Sequence, residues 1–366
     1  MHIAILIGHF PPGSFGGAEI QAEGWARRLV DRHRVTVITR HDPPMTARDE
    51  EREGFRVMRL PVSRVPGWRS VADVFAIERA VRSLDPPPDL LLCFQTFLSG
   101  LAGVRLQQLT GIPAVVWIRG EAEYRFDQSR VHRWVSPRVW DGAAAVLVQS
   151  EENRVELLKA LDRHAADTAS VVRAKLGVVP NGLDLPDGPF AAGTGILSVG
   201  RLIRDKGMDT VIDASNGLGT LVTIAGDGPE REALAARAKA HSPGVHFEGF
   251  VSRERIGMLY REAACVVLAA RRGEGLPNVL LEAMAASRAV IATPCAGTRD
   301  LLVDGANGLL VPPDDAAALR AAFVRVLSDP ALATRLGEGA RRTAERFGWV
   351  RVRPLLEEVF ERVVRR

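Results

Sequence analysis

The chain has 366 residues, 46% apolar and 25% charged, with a formal net charge of +4. That length exceeds one typical domain and suggests two. No apolar run approaches the ~18 residues that span a bilayer. Of the 48 basic residues only four are lysines (Lys159, Lys175, Lys206 and Lys239), and no dense basic run alternates with aromatics, which argues against nucleic acid as a partner.

The three cysteines lie far apart in apolar surroundings and read as reduced core residues, without disulfide or metal-ligand spacing. The opening Met1-His2-Ile3-Ala4-Ile5 reads as a strand rather than a signal peptide. The expectation is a cytoplasmic protein whose mildly basic surface allows loose attachment at the inner face of an anionic membrane.

The first half alternates strands and helices. Strands are expected at 3–7, 35–39, 55–60 (pairing at an edge), 89–94, 114–118 and 145–149. Helices are expected at 18–30, 71–84, 98–109 and 151–161, with Pro86-Pro87-Pro88 stopping the second. This alternation implies a parallel sheet covered on both faces, with ligands beyond the carboxyl ends of its strands. The loop Gly8–Glu19 places Gly16-Gly17 directly before a helix, a phosphate-loop arrangement. It lacks the G-x-G-x-x-G spacing of dinucleotide enzymes.

Pro180-Asn181-Gly182-Leu183-Asp184, followed by Pro186, Gly188 and Pro189, marks a domain boundary. A second α/β series follows, with strands at 195–199, 221–225, 245–250, 265–270, 289–292 and 309–311. Its helices run to 214 and over 230–240, 253–261, 314–327, 330–347 and 350–364. The break at Gly348-Trp349 lets the last helix return to the first domain. The domains are therefore expected at 1–182 with 349–366, and at 183–348. Arg201 ends the first strand of the second series and Lys206 stands at the next helix start, two cations suited to a diphosphate.

The stretch Arg271–Ala286 reads as a strand end, a glycine loop and the first turns of a helix. Gly273 and Gly275 permit close backbone approach. Pro277 suits the first helical position, and the helix start attracts an anion. Glu274 and Glu282 bracket that site. Carboxylates beside a phosphate repel it, so each is expected to accept hydrogen bonds from hydroxyl groups. An anion flanked by hydroxyls describes a nucleoside diphosphate sugar.

Taken in order, these pieces resemble the retaining glycosyltransferases of family 4. They are the Pro-Pro…Gly16-Gly17 loop, Pro180-Asn181-Gly182-Leu183-Asp184, Gly200-Arg201…Lys206-Gly207, Gly226-Asp227-Gly228-Pro229, Glu274 with Glu282, and Asp304-Gly305…Asn307-Gly308. The resemblance implies the GT-B architecture, an α/β fold of two Rossmann-like domains with parallel sheets facing across a cleft. It implies that Arg201 and Lys206 neutralise the donor diphosphate, with Gly16 and Gly17 offering backbone N–H groups. Glu282 would hold ribose hydroxyls and Glu274 the transferred sugar. Gly275, Leu276 and Pro277 would line the pocket, and backbone near Val251 would meet the nucleobase. No Asp-x-Asp metal site is evident, so neither metal nor cofactor is expected. The partners are a nucleotide-sugar donor and an unidentified hydroxyl acceptor.

One position departs from the pattern. After the 114–118 strand many members carry a His facing the donor sugar, whereas this chain has Arg119-Gly120-Glu121. Arg cannot act as a general base near neutral pH, but it can bind a phosphate or acidic sugar. The alternative is a salt bridge to Glu121 or Glu123. His9 and His132 read as bystanders. Acceptor recognition is expected from loops at 40–54, 61–70 and 120–137; the last and its flank are rich in Arg and Trp, suiting an anionic or lipid-phosphate acceptor. A nucleotide-sugar-binding protein without transfer activity and a sugar-nucleotide epimerase are the competing readings.

Overall fold

The computed structural model describes residues 1–12, 16–41, 47–61, 69–126, 129–188, 192–273, 275–295 and 297–365. The chain divides into two units, Met1–Gly182 with Trp349–Arg366, and Leu183–Gly348.

The first unit runs β1 (His2–Leu6), α1 (Gly17–Leu29), β2 (Arg34–Arg40), β3 (Asp49–Arg52), β4 (Phe55–Leu60) and α2 (Arg69–Arg82). It continues with β5 (Leu90–Phe94), α3 (Leu101–Thr110), β6 (Ala114–Trp117), α4 (Arg130–Gly142), β7 (Ala145–Val148), α5 (Glu151–His164), α6 (Ala166–Lys175) and β8 (Leu176–Val178). These strands form one sheet in the order β3-β4-β2-β1-β5-β6-β7-β8. The central strands are apolar and buried on both faces, as parallel strands under helices must be. Residues of α2 to α6, such as Val74, Ala102, Val139, Leu157 and Val172, pack on one face. Trp25 and Leu29 of α1 pack on the other with Leu356 and Phe360 of the chain's last helix.

The 55–60 strand is not the edge. β4 lies between β2 and the antiparallel β3, joined to β3 by a turn with both Glu53 and Gly54 at positive φ. The sequence Asp-Glu-Glu-Arg of β3 has no apolar alternation, so pattern alone hid it. The 98–109 helix starts later, at Leu101, after an irregular turn with Gln95 and Leu98 at positive φ.

The second unit runs β9 (Ile196–Val199), α7 (Met208–Ser215), β10 (Val222–Ala225), α8 (Arg231–His241), β11 (Val245–Gly249), α9 (Arg253–Glu262) and β12 (Cys265–Leu268). It continues with α10 (Asn278–Ala285), β13 (Ala289–Ala292), β14 (Leu309–Leu310), α11 (Ala316–Ser328) and α12 (Pro330–Ala344); α13 (Trp349–Val364) belongs to the first unit. The second sheet is wholly parallel, ordered β11-β10-β9-β12-β13-β14. The chain builds outward from β9 to β11 and then restarts at β12 on the other side of β9. Strand order reverses there, and loops leaving adjacent strands diverge, opening the crevice where such sheets take ligands.

Candidate functional site

In the second unit, the loops after β9 and β12 flank this reversal, and they carry most of the predicted donor-binding residues. Arg201 follows β9 directly and is exposed; Lys206 is half-buried and ends a short 3-10 turn, Arg204–Lys206. Gly207 follows at φ 65°, with its α-carbon so close to the Ala269 carbonyl that a Cβ there would overlap the oxygen. The left-handed glycine thus lets the turn lie against the end of β12.

Backbone bonds brace the same edge. Gly200 N donates to Ala225 O at 3.0 Å, Leu202 N to Asp227 O at 2.9 Å, and Gly226 N to Gly249 O at 2.7 Å. The strand ends that carry Arg201 and Val251 are therefore tied to one another.

Arg271 joins the two flanking loops. Its backbone N donates to Asp205 O at 2.9 Å, and its Nη2 donates to Asp209 Oδ2 at 2.7 Å. Its guanidinium also donates to the Arg204 carbonyl and to Asp314. The paired carboxylates of Asp209 and Asp314 hold its pKa above the usual Arg value against a smaller burial effect. Arg271 opens the Arg271–Ala286 stretch, but nothing in its spacing singles it out as the clamp on the Lys206 turn.

Gly275, Leu276 and Pro277 are buried after β12, and Pro277 is the N-cap of α10 rather than its first helical residue. Glu274 lies outside the described residues. Glu282, in the second turn of α10, accepts a 2.8 Å hydrogen bond from the hydroxyl of Tyr260 on α9. Burial raises the Glu282 pKa, while Tyr260 and, more weakly, Arg253 oppose the rise. Tyr260 stands 22 positions away in sequence, beyond any local spacing rule. Val251 is half-buried beyond β11.

In the first unit, Gly16 caps α1 with extended backbone, and Gly17 is its exposed first residue. The Glu19 side chain folds over Gly16, where a Cβ would collide with it. Arg119 follows β6. Its Nη2 donates to Asn181 Oδ1 at 2.7 Å, and its guanidinium lies over Trp117 and Phe94, 4.9 and 5.2 Å from the ring centroids. The alternative of a salt bridge to Glu121 is not what forms: Glu121 pairs with Arg125 at 2.7 Å. Glu123 instead uses its carboxylate oxygens on the backbone N–H groups of Arg119 and Thr96, each at 2.6 Å. Arg119 Nε and Nη1 are buried without a hydrogen-bond partner among the described residues. Burial lowers the Arg119 pKa to about 9, which leaves it cationic at neutral pH.

The Arg- and Trp-rich segment divides by burial. Trp140 is core, donating to Thr96 Oγ1 at 2.8 Å, while Trp134 is 63% exposed beneath the Arg138 guanidinium. His132 stacks on Phe97 and bonds the Ala122 carbonyl, a structural role. Cys93 and Cys265 are buried free thiols, and Cys295 is a half-buried one.

Two parallel-sheet Rossmann-like units, with polar loops beyond the carboxyl ends of their strands, define the GT-B class. Solved structures of that shape cover almost all of the chain. One is a sucrose-phosphate synthase from Thermosynechococcus elongatus, with TM-score 0.85 and 23% identity over 99% of this chain and 98% of that one. Another is Anabaena HepE in complex with UDP and glucose, with TM-score 0.80 and 18% identity over 99% of each chain. The family model "Glycosyl transferase 4-like domain" matches residues 16–182, and "Glycosyl transferases group 1" matches residues 193–329.

The chain thus belongs to the GT-B glycosyltransferases. A glycogen synthase from Mycobacterium tuberculosis is 30% identical over 275 residues, 70% of this chain but 65% of the relative's length. An alpha-D-kanosaminyltransferase from Streptomyces kanamyceticus is 35% identical over 152 residues, 40% of this chain and 39% of that protein.

Proposed function

We propose that the chain is a retaining, metal-independent hexosyltransferase that moves a sugar from a nucleoside diphosphate to a hydroxyl acceptor. One observation carries the reading: Arg201 and Lys206 stand on the loop after β9, and Glu282 stands on α10, the helix after β12, so all three follow the two strands that flank the reversal of strand order. As the glycosidic bond breaks, negative charge grows on the departing phosphate and the sugar becomes oxocarbenium-like. Fixed cations bind that phosphate more strongly as its charge grows, which stabilises the transition state over the ground state. Two such cations do the work that a divalent ion does elsewhere.

In this reading Glu282 accepts ribose hydroxyls and Glu274 the hydroxyls of the transferred sugar. Gly275, Leu276 and Pro277 line the pocket, Val251 meets the base, and Gly16 and Gly17 offer N–H groups to phosphate. Arg119, held over two aromatic rings, serves an anionic or hydroxyl group of a substrate. Exposed Arg130, Arg133 and Arg138 beside exposed Val131 and Trp134 on α4 support an anionic or lipid-phosphate acceptor and peripheral contact at the cytoplasmic face of a membrane. Among the described residues no helix is long and apolar enough to cross one.

A thermal-shift panel of nucleoside diphosphate sugars tests the donor, starting from UDP-glucose because HepE was solved with it. Donor turnover with chelator present, followed by NMR of the product's anomeric proton, tests the rest. Retained configuration and chelator-insensitive turnover are expected. Inverted product, a strict metal requirement, or stabilisation by no donor would overturn the reading.

A further inference from the structure

We infer that Tyr260 is a positioning residue of the donor site: its hydroxyl fixes the carboxylate of Glu282 so that one oxygen is left to accept the vicinal diol of a ribose. The inference rests on the reading of Glu282 as the ribose acceptor and adds α9 to the site.

Tyr260 is 3% exposed and its ring is part of the core that packs α9 against α10. Leu259 and Ala263 beside it, and Leu280, Leu281 and Met284 on α10, are buried in the same cluster. The ring is therefore held by packing and the hydroxyl has one place to go, Oε2 of Glu282 at 2.8 Å. Oε1 accepts no hydrogen bond from any described residue. A Glu side chain with three rotatable bonds in a half-buried position would otherwise sample several rotamers, each ordered only at an entropic cost when a ligand binds. The phenol removes that freedom beforehand. It also supplies a neutral donor to a carboxylate that burial disfavours, so the charged form a diol needs is kept without a cation placed against it. Arg253, whose charge acts on Glu282 more weakly than the Tyr260 hydroxyl, is paired with Asp184 at 3.1 Å. Tyr260→Phe fills the same core space and loses only the oxygen.

The test uses the full chain and the ribonucleoside diphosphate that binds best in a thermal-shift panel, together with its 2′,3′-dideoxy analogue. Calorimetry measures both with wild type, Tyr260→Phe, Glu282→Ala and the double variant. Tyr260→Phe is expected to weaken the ribonucleotide about tenfold or more, as for a lost hydrogen bond to a charged group. It should leave the dideoxy analogue within twofold of wild type, raise donor KM, and leave kcat nearly unchanged. In the Glu282→Ala background the Phe substitution should add nothing further, because the two side chains act as one unit.

Ribonucleotide binding by Tyr260→Phe equal to wild type, or equal losses for both nucleotides, would overturn the role of Tyr260. If Glu282→Ala itself binds both nucleotides as wild type does, the reading of Glu282 fails first, and the role of Tyr260 fails with it.

Discussion

Gly207→Ala strains the turn that carries Lys206 with the addition of a single methyl group. The residue sits at φ 65°, and an added methyl overlaps the carbonyl oxygen of Ala269 at the end of β12. A left-handed conformation costs an L-residue about 1–2 kcal/mol. Relieving overlap with rigid backbone adds roughly 1–3 kcal/mol. The turn must then swing away from β12, breaking the bonds through which Arg271 holds Arg204 and Asp205 and carrying Lys206 out of register. Guanidinium chloride unfolding should show a loss of about 2–5 kcal/mol. Donor turnover in the remaining folded protein, measured well below the transition, should still fall at least ~10-fold. A variant within ~0.5 kcal/mol of wild type and fully active would refute both the clamp and the placement of Lys206.

Lys206→Ala and Arg201→Ala should each lower kcat about 100-fold, the ~3 kcal/mol typical of a lost donor at developing charge, while shifting the unfolding midpoint little, since neither side chain is core. Near-full turnover in steady-state assays of the purified variants would rule the roles out. Donor affinity should improve as pH rises through the raised Glu282 pKa, because only the ionised carboxylate accepts two hydroxyls. Stability of the free protein runs the other way: burial raises this pKa above its unfolded value, so its contribution is present at low pH and is lost as pH climbs through it. Calorimetry across acidic to neutral pH should show the affinity trend in wild type and not in Glu282→Gln. In the first unit, Gly182→Ala would drive a methyl into the Trp349 ring and should cost roughly 1–3 kcal/mol in a denaturant melt, with stability equal to wild type as the contrary result.

Apolar periodicity revealed most of the buried strands, because a parallel strand covered on both faces reads as a short run such as Leu90–Phe94 or Cys265–Leu268. The polar edge strand Asp49–Arg52 carries no such signal, and α6 follows α5 after Ala165 alone, so pattern merged or missed them. The placement of Arg201 and Lys206 between a strand and a helix, and of Glu282 a turn into the next helix, follows from sequence order, because order and spatial position coincide there. Arg271, Tyr260 and Asn181 act through partners 22 to 62 residues away. Only the fold brings those pairs together. The same limit explains Arg119: its adjacent acids suggested a salt bridge, but Glu123 turned to backbone N–H groups and the guanidinium settled over aromatic rings. Glu274 itself lies outside the described residues.

The central claim is that Arg201 and Lys206 together hold the diphosphate of the donor. Calorimetric titration of a nucleoside diphosphate into wild type and into the Arg201→Ala, Lys206→Ala double variant measures it directly. The account predicts tight binding to wild type and a Kd raised about 100-fold or more in a variant that stays folded, as expected for two lost charged hydrogen bonds. An unchanged Kd in the folded double variant would contradict it.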